Sequence, residues 1–442
     1  MVPLPNGSML VGGLFEQNVE FHGDVIGFSS DDSSFGVDFF LGWLDENGTW
    51  TGTVAGTSSG LDGIEAMDRT SDGTVIIAGT FCDMTKGDAC NMTLGELPPV
   101  NKSADEHENG VFVAGMTPAG EWMWATSLSN PYQLSVIDMM VGPNDEVHLA
   151  VLHRDSLTSG DELAPGSVSE DSIAVLVLDS TGNHLHMHTV FSSQNLENIG
   201  SLCSDYSGQT YLATSFLELV SFGDHELTSS GGTHVAVAQY NSGGWLWAKS
   251  AGGTSDASAT DCDGRHDGGV AVVGDFLQNM TFGDLEIGPS VWVDFYEAHI
   301  SDQGEWLHAT GFGGGAADHA AAIHITEQGD SLILGKTTGT LVLGEYTLTD
   351  IDGKNDGNHH DLFLGRRQAN STWDWAIAAG GGGDDIPDSL SMSATGSPVI
   401  SFISNSDGTY GAHAFVQRDH YDMGIWLYET DLDLDGVLDG LD

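Results

Sequence analysis

Basic residues are scarce in this chain. Its 442 residues include 11 Lys and Arg against 65 Asp and Glu, so the formal net charge is −54. Lysine stands only at Lys86, Lys102, Lys249, Lys336 and Lys354. Phosphate binding needs clustered Lys and Arg, so we expect neither nucleic acid nor an anionic membrane surface as a partner. An acidic surface attracts cations and stays soluble in salt, which favours a marine or halophilic extracellular setting.

Proline, long apolar runs and helical periodicity are also missing. The 11 prolines stand against 60 glycines, and 40% of the residues are hydrophobic. This composition favours a turn-rich all-β protein with enough apolar side chains to bury a core. No run is as long as a transmembrane helix, so we expect no membrane insertion. No stretch repeats apolar residues every three to four positions.

A sequence motif that contains tryptophan, called the Trp phrase below, recurs along the chain. It consists of a Gly, one or two residues, Trp, one residue and often Trp-Ala, with its clearest copies at 120–125 and 244–248. The first Trp of each copy is Trp50, Trp122, Trp245, Trp306 or Trp373. A diverged copy carries His184 and His186 in place of the two Trp residues. A unit of roughly 60–70 residues therefore repeats, and such a repeat decides the architecture.

Each unit contains the same series of predicted strands. A first strand is followed by a Gly and an apolar run such as 73–81 or 269–276, a short Phe-Gly-Asp element such as 222–224, a third strand, and the Trp phrase. This gives four main strands with a hairpin inserted between the second and third. There are seven units, with Gly anchors near positions 7, 73, 144, 208, 268, 329 and 396. The repeat predicts an all-β propeller of about seven four-stranded antiparallel blades over residues 1–430.

Two other architectures were weighed against the propeller. A parallel β-solenoid has much shorter repeats than this unit. Two separate sandwiches would suit the chain length. The nearly even repeat disfavours two separate sandwiches, so the propeller remains the preferred fold.

Cysteine is also rare. The chain holds Cys82, Cys90, Cys203 and Cys262. Aligning Phe216 with Phe276 places Cys203 opposite Asp263, next to Cys262, on the first strands of adjacent units. Among three connectivities we expect disulfides 82–90 and 203–262, which would fit an extracellular protein. The alternative is four reduced thiols, and a Zn²⁺ site is disfavoured because no pair has Cys-x-x-Cys spacing.

The last twelve residues match a calcium loop. Carboxylates stand at loop positions one, three, five and twelve, and Gly436 stands at position six, where a sharp turn is needed. Ca²⁺ takes roughly six to eight oxygen ligands, which alternate carboxylates on a tight loop can supply. The predicted ligands are Asp431, Asp433, Asp435, Val437 through its carbonyl, Asp439 and Asp442. The alternative is a solvated acidic tail.

The ends of the sequence suggest a longer polypeptide. The first residues have neither the basic start nor the apolar core of a signal peptide. The chain starts inside a predicted first strand and stops inside the calcium motif of residues 431–442. We therefore expect a fragment of a secreted or surface-anchored protein, with any signal peptide or anchor outside it.

The repeated pattern carries a family resemblance. The Gly-x-Val-x-Val-x-Gly run, Phe-Gly-Asp, third strand and Gly-x-Trp-x-Trp-Ala phrase resemble the seven-bladed propeller repeats of bacterial and archaeal secreted proteins, over nearly all of residues 1–430. The terminal loop is similar to thrombospondin type 3 or dockerin-like calcium repeats. The resemblance implies surface display, binding or adhesion, and it supplies no catalytic residues.

Two polar sets were considered as sites. Asp62, Asp256, Asp318 and Asp385 recur where one unit passes to the next. They could form a carboxylate ring for cations or a polar ligand, although hydrogen bonding within turns is the preferred interpretation. His184, His186 and His188 share one face of a strand. They could bind Zn²⁺ or Cu²⁺, but polar repacking of one blade is preferred.

Enzymatic activity finds little support in the motifs. The stretch Ser301–Trp306 approaches a sialidase-type Ser-x-Asp-x-Gly-x-x-Trp box but is one residue short. The chain has no nucleophile elbow and no phosphate-binding loop. We therefore predict a non-enzymatic binding or adhesion scaffold at the cell surface, with an unidentified protein or carbohydrate ligand. The alternatives are a polysaccharide-active glycoside hydrolase or lyase on the same fold, or a structural envelope spacer.

Overall fold

The computed structural model consists of β-strands joined by turns. It describes residues 1–15, 19–21, 24–26, 37–46, 48–58, 60–82, 90–102, 109–128, 130, 132, 134–194, 196, 200–351, 359–411, 413–416 and 422–428. These residues contain no helix, and so none that is long and apolar enough to cross a membrane. By the density of internal contacts the chain divides into two compact units, each larger than a sequence repeat. The first unit comprises residues 1–197, 219–228 and 240–246, and the second unit comprises residues 198–218, 229–239 and 247–442.

The first unit contains blades 1 to 3, numbered in chain order. Blade 1 runs β1 (Val2–Pro3), β2 (Met9–Phe15), the hairpin β3 (Val19–Phe21) and β4 (Asp24–Ile26), β5 (Asp38–Leu44) and β6 (Trp50–Thr57). Blade 2 runs β7 (Ala66–Arg69), β8 (Val75–Phe81), the hairpin β9 (Cys90–Leu94) and β10 (Val100–Lys102), β11 (Gly110–Met116) and β12 (Trp122–Leu128). Blade 3 runs β13 (Leu134–Val141), β14 (Val147–His153), the hairpin β15 (Leu157–Ser159) and β16 (Glu162–Ala164), β17 (Ser172–Leu178) and β18 (His184–Ser192).

Blade 4 and the second unit continue the same order. Blade 4 runs β19 (Leu202–Ser204), β20 (Thr210–Phe216), the hairpin β21 (Leu219–Phe222) and β22 (His225–Thr228), β23 (His234–Asn241) and β24 (Gly244–Gly253). Blade 5 runs β25 (Asp261–Gly264), β26 (Val270–Phe276), the hairpin β27 (Met280–Phe282) and β28 (Leu285–Ile287), β29 (Asp294–Ile300) and β30 (Trp306–Gly314). Blade 6 runs β31 (Asp318–Ile325), β32 (Ser331–Thr337), the hairpin β33 (Leu341–Leu343) and β34 (Tyr346–Leu348), β35 (Asp361–Arg367) and β36 (Trp373–Gly381). Blade 7 runs β37 (Asp385–Met392), β38 (Pro398–Ser404), the hairpin β39 (Gly408–Tyr410) and β40 (His413–Phe415), and β41 (Asp422–Leu427).

The seven antiparallel sheets are the blades of an all-β, seven-bladed propeller, as the repeat predicts. In blades 1 to 6 the inserted hairpin lies between the second and third main strands, which confirms the predicted unit. Blade 7 has three main strands among the described residues. Its last strand ends at Leu427, and the predicted boundary at residue 430 lies outside the described residues.

The inserted hairpin joins the sheet of the preceding blade rather than its own. The first hairpin strand pairs with the fourth main strand before it in five cases: β9 with β6, β21 with β18, β27 with β24, β33 with β30, and β39 with β36. Each of these sheets thereby reaches six strands. The edge that the fourth strand would expose is covered by backbone hydrogen bonds.

The apolar core lies between successive sheets. Every residue of β14 and β17 is buried, because both faces of these strands are covered by neighbouring structure. Such strands are therefore continuous apolar runs rather than alternating ones. One core cluster joins Cys203 and Tyr211 of blade 4 to Val272 and Tyr296 of blade 5. Similar clusters join blades 1 and 2, 2 and 3, 5 and 6, and 6 and 7.

The first Trp of each phrase packs on the hairpin of its own blade. A Cβ added at the hairpin turn glycine would lie 2.9 Å from Trp122 at Gly95 and 3.2 Å from Trp373 at Gly344. Both glycines have positive φ values, of 52° and 61°. The turn therefore needs glycine for its backbone and also to leave room for the ring. These contacts support packing, rather than a sugar platform, as the function of the first Trp residues.

The second Trp of the phrase reaches the next blade. The indole N–H of Trp124 donates to the Ser180 carbonyl at 3.1 Å, and that of Trp247 donates to the Asp302 carbonyl at 3.0 Å. Both acceptors lie in the turn between the third and fourth strands of the following blade. The Trp pair therefore links its own hairpin to the neighbouring blade, and its polar atom is satisfied where its ring is packed.

Both predicted disulfides are present. Cys82 bonds to Cys90 within blade 2, and Cys203 on β19 bonds to Cys262 on β25. The second disulfide ties the first strands of blades 4 and 5, as the alignment of their repeats predicts. It closes a loop with a sequence separation of 59 residues, which restricts the unfolded chain.

We expect the Trp306→Ala variant to be less stable than the wild type by about 3 kcal/mol. The indole packs at 4.9 Å from the Phe282 ring in an edge-on contact, and alanine would leave a cavity there. Leu307→Ala is the matched control, because Leu307 is 49% exposed on the other face of the same strand. Denaturant unfolding followed by circular dichroism measures both, and equal losses would contradict the packing function of Trp306.

Candidate functional site

A polar contact recurs where one blade passes to the next. At three junctions the backbone N–H of an Asp donates a hydrogen bond to the carbonyl of the residue before the third strand of the earlier blade. The N···O distances are 2.7–2.9 Å, for Asp62 to Val37, Asp318 to Val293, and Asp385 to His360. The first residue of that third strand is also an Asp, namely Asp38, Asp294 or Asp361. Each of these junctions therefore brings two carboxyl groups together.

These carboxyl pairs are poorly hydrated. Asp318 is completely buried, and burial together with the charge of Asp294 raises the pKa of Asp318 to about 7, although Thr337 opposes the change. Burial likewise raises the pKa of Asp62 to about 7, against hydrogen bonds from Ser58 and Cys82. Burial also raises the pKa of Asp385 above its ordinary value. At each junction one carboxyl is therefore held in its protonated form to a higher pH than an exposed Asp.

Glycines in the fourth strand make room for the pairs. A Cβ added at Gly313 would lie 2.1 Å from Asp294 Oδ1, and one added at Gly380 would lie 2.2 Å from Asp361 Oδ1 and 2.6 Å from Asp385 Oδ2. The Gly-rich ends of the Trp-containing strands thus accommodate the carboxyl groups. This steric requirement explains why glycine recurs there in the sequence.

The predicted Asp set divides into two kinds. Asp62, Asp318 and Asp385 are buried, whereas Asp256 is exposed and accepts a hydrogen bond from the Thr233 N–H at 2.9 Å. At that junction His234 replaces the Asp that opens the third strand. The preferred interpretation as turn chemistry fits Asp256 and also Asp385, which accepts a hydrogen bond from the Gly381 N–H at 2.8 Å. Asp62, Asp318 and Asp385 are in addition members of buried pairs. Within the described residues, no group of three or more His, Cys, Asp or Glu side chains could hold a metal ion.

An open cavity of about 490 Å³ lies among the first strands of blades 5, 6 and 7. We call it the inner cavity, and its lining is Ser258, Ala259, Thr260, Asp275, His319, Ala320, Ala321, Lys336, Ile386, Pro387 and Asp388. The segment before β25 and the strands β31 and β37 form its wall, and Asp275 and Lys336 project from the second strands. Its volume is typical of a small-molecule site, and its lining mixes charged, hydroxyl and apolar groups.

Two Asp–His pairs lie in or beside the inner cavity. His319 Nδ1 is 2.6 Å from Asp275 Oδ2, and His360 Nδ1 is 3.0 Å from Asp384 Oδ1. Burial lowers the pKa of His360, and the nearby Lys336 adds to this effect while Asp384 opposes it. The pKa of Asp384 is lowered, because its hydrogen bonds with His360 outweigh its own burial. Each imidazole is thus held in place by a carboxylate.

A second, smaller cavity of about 450 Å³ lies between blades 6 and 7. His324, Glu327, Arg366 and Trp375 are among its lining residues. Arg366 is already bound to Asp330 at 2.7 Å, and Trp375 packs on the Tyr428 ring at 4.8 Å. The polar groups of this cavity are therefore less free than those of the inner cavity.

Two of the three predicted histidines, His186 and His188, belong to an aromatic cluster. His188 packs on His186 and Tyr240, with ring centroids 5.1 and 5.4 Å apart, and His148 Nδ1 is 3.0 Å from the Tyr240 hydroxyl. His184 pairs separately with Glu162 at 3.3 Å. Burial and the neighbouring imidazoles lower the pKa values of His148 and His188 to about 4. The preferred interpretation as polar repacking fits this arrangement.

A buried ion pair was not expected from the sequence. Glu297 on β29 and Arg367 on β35 are 2.7 Å apart and both are buried. Burial opposes ionisation of Glu297, but the hydrogen bond with His299 and the charge of Arg367 lower its pKa to about 2. The pair joins blades 5 and 6 and has no access to a ligand. The only signal in the sequence was a Glu at the centre of an apolar strand.

The near-match to a sialidase box is a structural turn. Ser301 Oγ accepts hydrogen bonds from the N–H groups of Gln303 and Glu305, and the Asp302 carbonyl accepts from Trp247. These residues therefore form a turn that links two blades.

The predicted calcium loop lies outside the described residues. This applies to Asp431, Asp433, Asp435, Val437, Asp439 and Asp442. Sequence reasoning also missed the inner cavity, whose residues carry no motif. The available signal was a rare Lys at position 336, where the preceding unit has Asp275, although this position differs from unit to unit.

Comparisons with known proteins yield no family assignment. The sequence matches no protein-family model. No curated protein matches it either. Among solved structures, a protein of unknown function from Bacteroides caccae is similar with a TM-score of 0.39 and 10% identity, covering 77% of this chain and 89% of that one. The hemagglutinin-neuraminidase ectodomain of parainfluenza virus 5 has a TM-score of 0.37 and 8% identity, covering 83% of this chain and 79% of that one.

We expect the Asp318→Asn variant to gain stability relative to the wild type as the pH rises. The folded pKa of Asp318 is about 7 against an ordinary value of 3.8, so its favourable contribution is present below pH 3.8 and is lost as the pH rises through 7. Between those limits the difference in unfolding free energy should grow by about 1.4 kcal/mol per pH unit. Asp256→Asn is the control, because Asp256 is exposed and lies one residue before Ala257, whose N–H makes the equivalent hydrogen bond to Thr233. Thermal and denaturant unfolding across this range measure both variants, and a pH-independent difference for Asp318→Asn would contradict the buried pair.

Proposed function

We propose that this protein is a binding scaffold at the cell surface, which holds a hydroxyl-bearing ligand such as a saccharide in the inner cavity. The observation that carries the proposal is the cavity itself, which has about 490 Å³ of open space and several polar side chains. Rigid strands from three successive blades set the positions of these side chains. A ligand would therefore meet a preorganised surface, with little ordering cost on the protein side.

The chemistry of the lining supports a polar ligand. Asp388 is exposed and accepts only one hydrogen bond from the described residues, from Ser401 at 2.8 Å. Thr260 adds a half-buried hydroxyl, and Ala320, Ala321 and Ile386 add small apolar patches. Sugars present hydroxyl groups beside apolar C–H faces, so donors, acceptors and apolar surface in one cavity suit them.

The proposed extracellular setting rests on two features. Disulfides persist in oxidising environments, and this chain has two that tie strands or loops of its blades. The net charge of −54 keeps such a protein soluble in salt. Both features support a non-cytoplasmic location, and adhesion through the scaffold is part of the proposal.

We propose binding without turnover. Hydrolysis of a glycoside needs two carboxyl groups on either side of the bond, one acting as acid. In the inner cavity Asp275 is bound by His319, and Asp384 beside it is bound by His360. Asp388 therefore lacks an unengaged carboxyl partner there. This arrangement favours a scaffold over the polysaccharide-active enzyme.

A calcium site in the terminal loop belongs to the same proposal. Its support is the spacing of the Asp residues in positions 431–442. Calcium bound there would stiffen the segment that follows blade 7. It would therefore affect how the scaffold is held at the cell surface rather than binding in the inner cavity.

We expect wild-type protein to be retained on one or more members of a panel of marine and cell-surface polysaccharides without shortening them. An Ala321→Trp variant should lose that retention, because the larger ring would fill the inner cavity. Ala369→Trp, on an exposed turn of blade 6, is the matched control and should bind as the wild type does. Affinity electrophoresis and size-exclusion chromatography of the polymer measure the two properties. Equal retention of all three proteins would contradict binding in the cavity, and shortened polymer would favour the enzyme.

For the terminal loop, we expect the doubly substituted Asp433→Asn, Asp435→Asn variant to bind one Ca²⁺ fewer than the wild type. The two substitutions remove two carboxylate ligands and leave the turn at Gly436 unchanged. Isothermal titration with calcium gives the stoichiometry, and Asp407→Asn, an exposed Asp in blade 7, is the control. An unchanged stoichiometry would show that the loop is not a calcium site.

A further inference from the structure

The side chain of the penultimate residue of the second strand accepts a hydrogen bond from the next blade in blades 4 and 5. Ser215 on β20 accepts a hydrogen bond from the Ala259 N–H at 3.0 Å, and Asp275 on β26 accepts one from the Ala320 N–H at 3.2 Å. The two donors occupy corresponding places, Ala259 in the segment just before β25 and Ala320 in β31, because each lies two residues after the N–H that bonds to the earlier blade. This side chain therefore has a structural function in joining a blade to the next one.

At the junction of blades 6 and 7 both halves of that bond are absent. The corresponding residue of β32 is Lys336, whose ammonium group cannot accept a hydrogen bond. The corresponding residue of β37 is Pro387, which has no N–H to donate. Pro387 aligns with Ala320 because each pairs with the middle of its second strand just before a β-bulge. The lysine thus does not serve the structural purpose of its position.

Lys336 is also without a charged partner. It is half-buried and lines the inner cavity, and its ammonium group forms no hydrogen bond or ion pair with the described residues. Asp275 binds His319 and Asp384 binds His360, while Asp388 lines the same cavity and accepts a hydrogen bond from Ser401. A half-buried ammonium group is unfavourable without an anion, so Lys336 can bind an anionic group that enters the cavity.

The net charge of the whole chain further restricts the class of ligand that can bind. A net charge of −54 repels polyanions, and one lysine would not compensate for many negative groups. A ligand with a single anionic group faces a much smaller repulsion and can use a single ammonium group. Hydroxyl groups on the same ligand would meet Thr260 and Asp388.

We propose that Lys336 binds the single carboxylate or sulfate group of an acidic sugar in the inner cavity. This inference rests on the proposed function, because it names the ligand class of the same cavity. Recognition is by a charge-assisted hydrogen bond from Nζ to the anionic oxygen, while the hydroxyl groups of the sugar bond to the polar lining.

The test compares acidic and neutral sugars on the full chain. Isothermal titration would use glucuronate, galactose 6-sulfate and glucose, with wild type, Lys336→Met, Lys336→Arg and Lys249→Met. Lys249 is exposed on β24, outside the cavity, so its variant is the matched charge control. We expect one or both acidic sugars to bind wild type more tightly than glucose. Lys336→Met should weaken that binding by about 10–100-fold, Lys336→Arg should retain most of it, and Lys249→Met should change nothing.

A second readout separates this contact from a general loss of structure. Salt screens both the long-range repulsion by the acidic chain and the attraction to Lys336, so all titrations are made at one salt concentration of about 150 mM. Thermal unfolding of each variant checks that it is folded.

The outcomes distinguish the two proposals. Binding of acidic and neutral sugars with equal affinity, unchanged in Lys336→Met, would overturn the function of Lys336 and leave a saccharide site standing. Absence of binding by all three sugars, together with polysaccharide retention that Ala321→Trp does not alter, would overturn the cavity as a ligand site and this inference with it. Preference for glucuronate over galactose 6-sulfate, or the reverse, identifies the anionic group.

Discussion

The structure depends on backbone hydrogen bonds that, in five cases, join the hairpin of one repeat to the sheet before it. A fourth strand such as β6 or β30 would end its sheet with unpaired N–H and C=O groups. The hairpin of the next unit pairs with that edge, as β9 does with β6 and β33 with β30. Because exposed edges invite association with other chains, this pairing protects the solubility of a protein built from many sheets. The Trp rings then pack over the hairpin that makes the connection.

Pairs of buried carboxyl groups at the blade junctions are a less expected feature of the structure than the hairpin pairing. Two carboxyl groups at a junction repel one another when ionised, and a buried one loses hydration. The chain tolerates them because one member stays protonated, and because Gly313 and Gly380 leave space beside them. Protonated pairs favour the fold in acid, whereas buried neutral imidazoles such as His148 and His188 disfavour it there. The two sets of groups therefore have opposite effects on stability between about pH 4 and about pH 6.5.

Much of the fold could be predicted because the sequence repeats. The spacing of Trp122, Trp245 and Trp306 gave the size of the unit, and alternating apolar runs gave its strands. The alignment of units also identified the Cys203–Cys262 disulfide. The pairing of each hairpin with the preceding blade could not be predicted, because local periodicity does not identify the partner of an edge strand. The ligands of the terminal calcium loop remain a prediction from spacing alone.

The candidate site was harder to predict, for a physical reason. Repetition reveals what every blade needs, whereas the inner cavity depends on what one junction lacks. Pro387 has no N–H, and the Lys336 ammonium group cannot accept a hydrogen bond. Neither residue belongs to a sequence motif, so the cavity that they line is recognised only in the folded structure. Asp275 and His319 similarly lie 44 residues apart in the chain and meet only after folding.

The hairpin arrangement also has a consequence for synthesis on the ribosome. Five of the sheets receive their last two strands from the repeat that is translated after them, so each of these sheets keeps an open edge until the hairpin of the next repeat has emerged. In this part of the chain the unprotected edge moves forward as translation proceeds. Gain or loss of one whole repeat in the gene would leave this succession intact, whereas a break inside a repeat would separate a hairpin from the sheet that it completes.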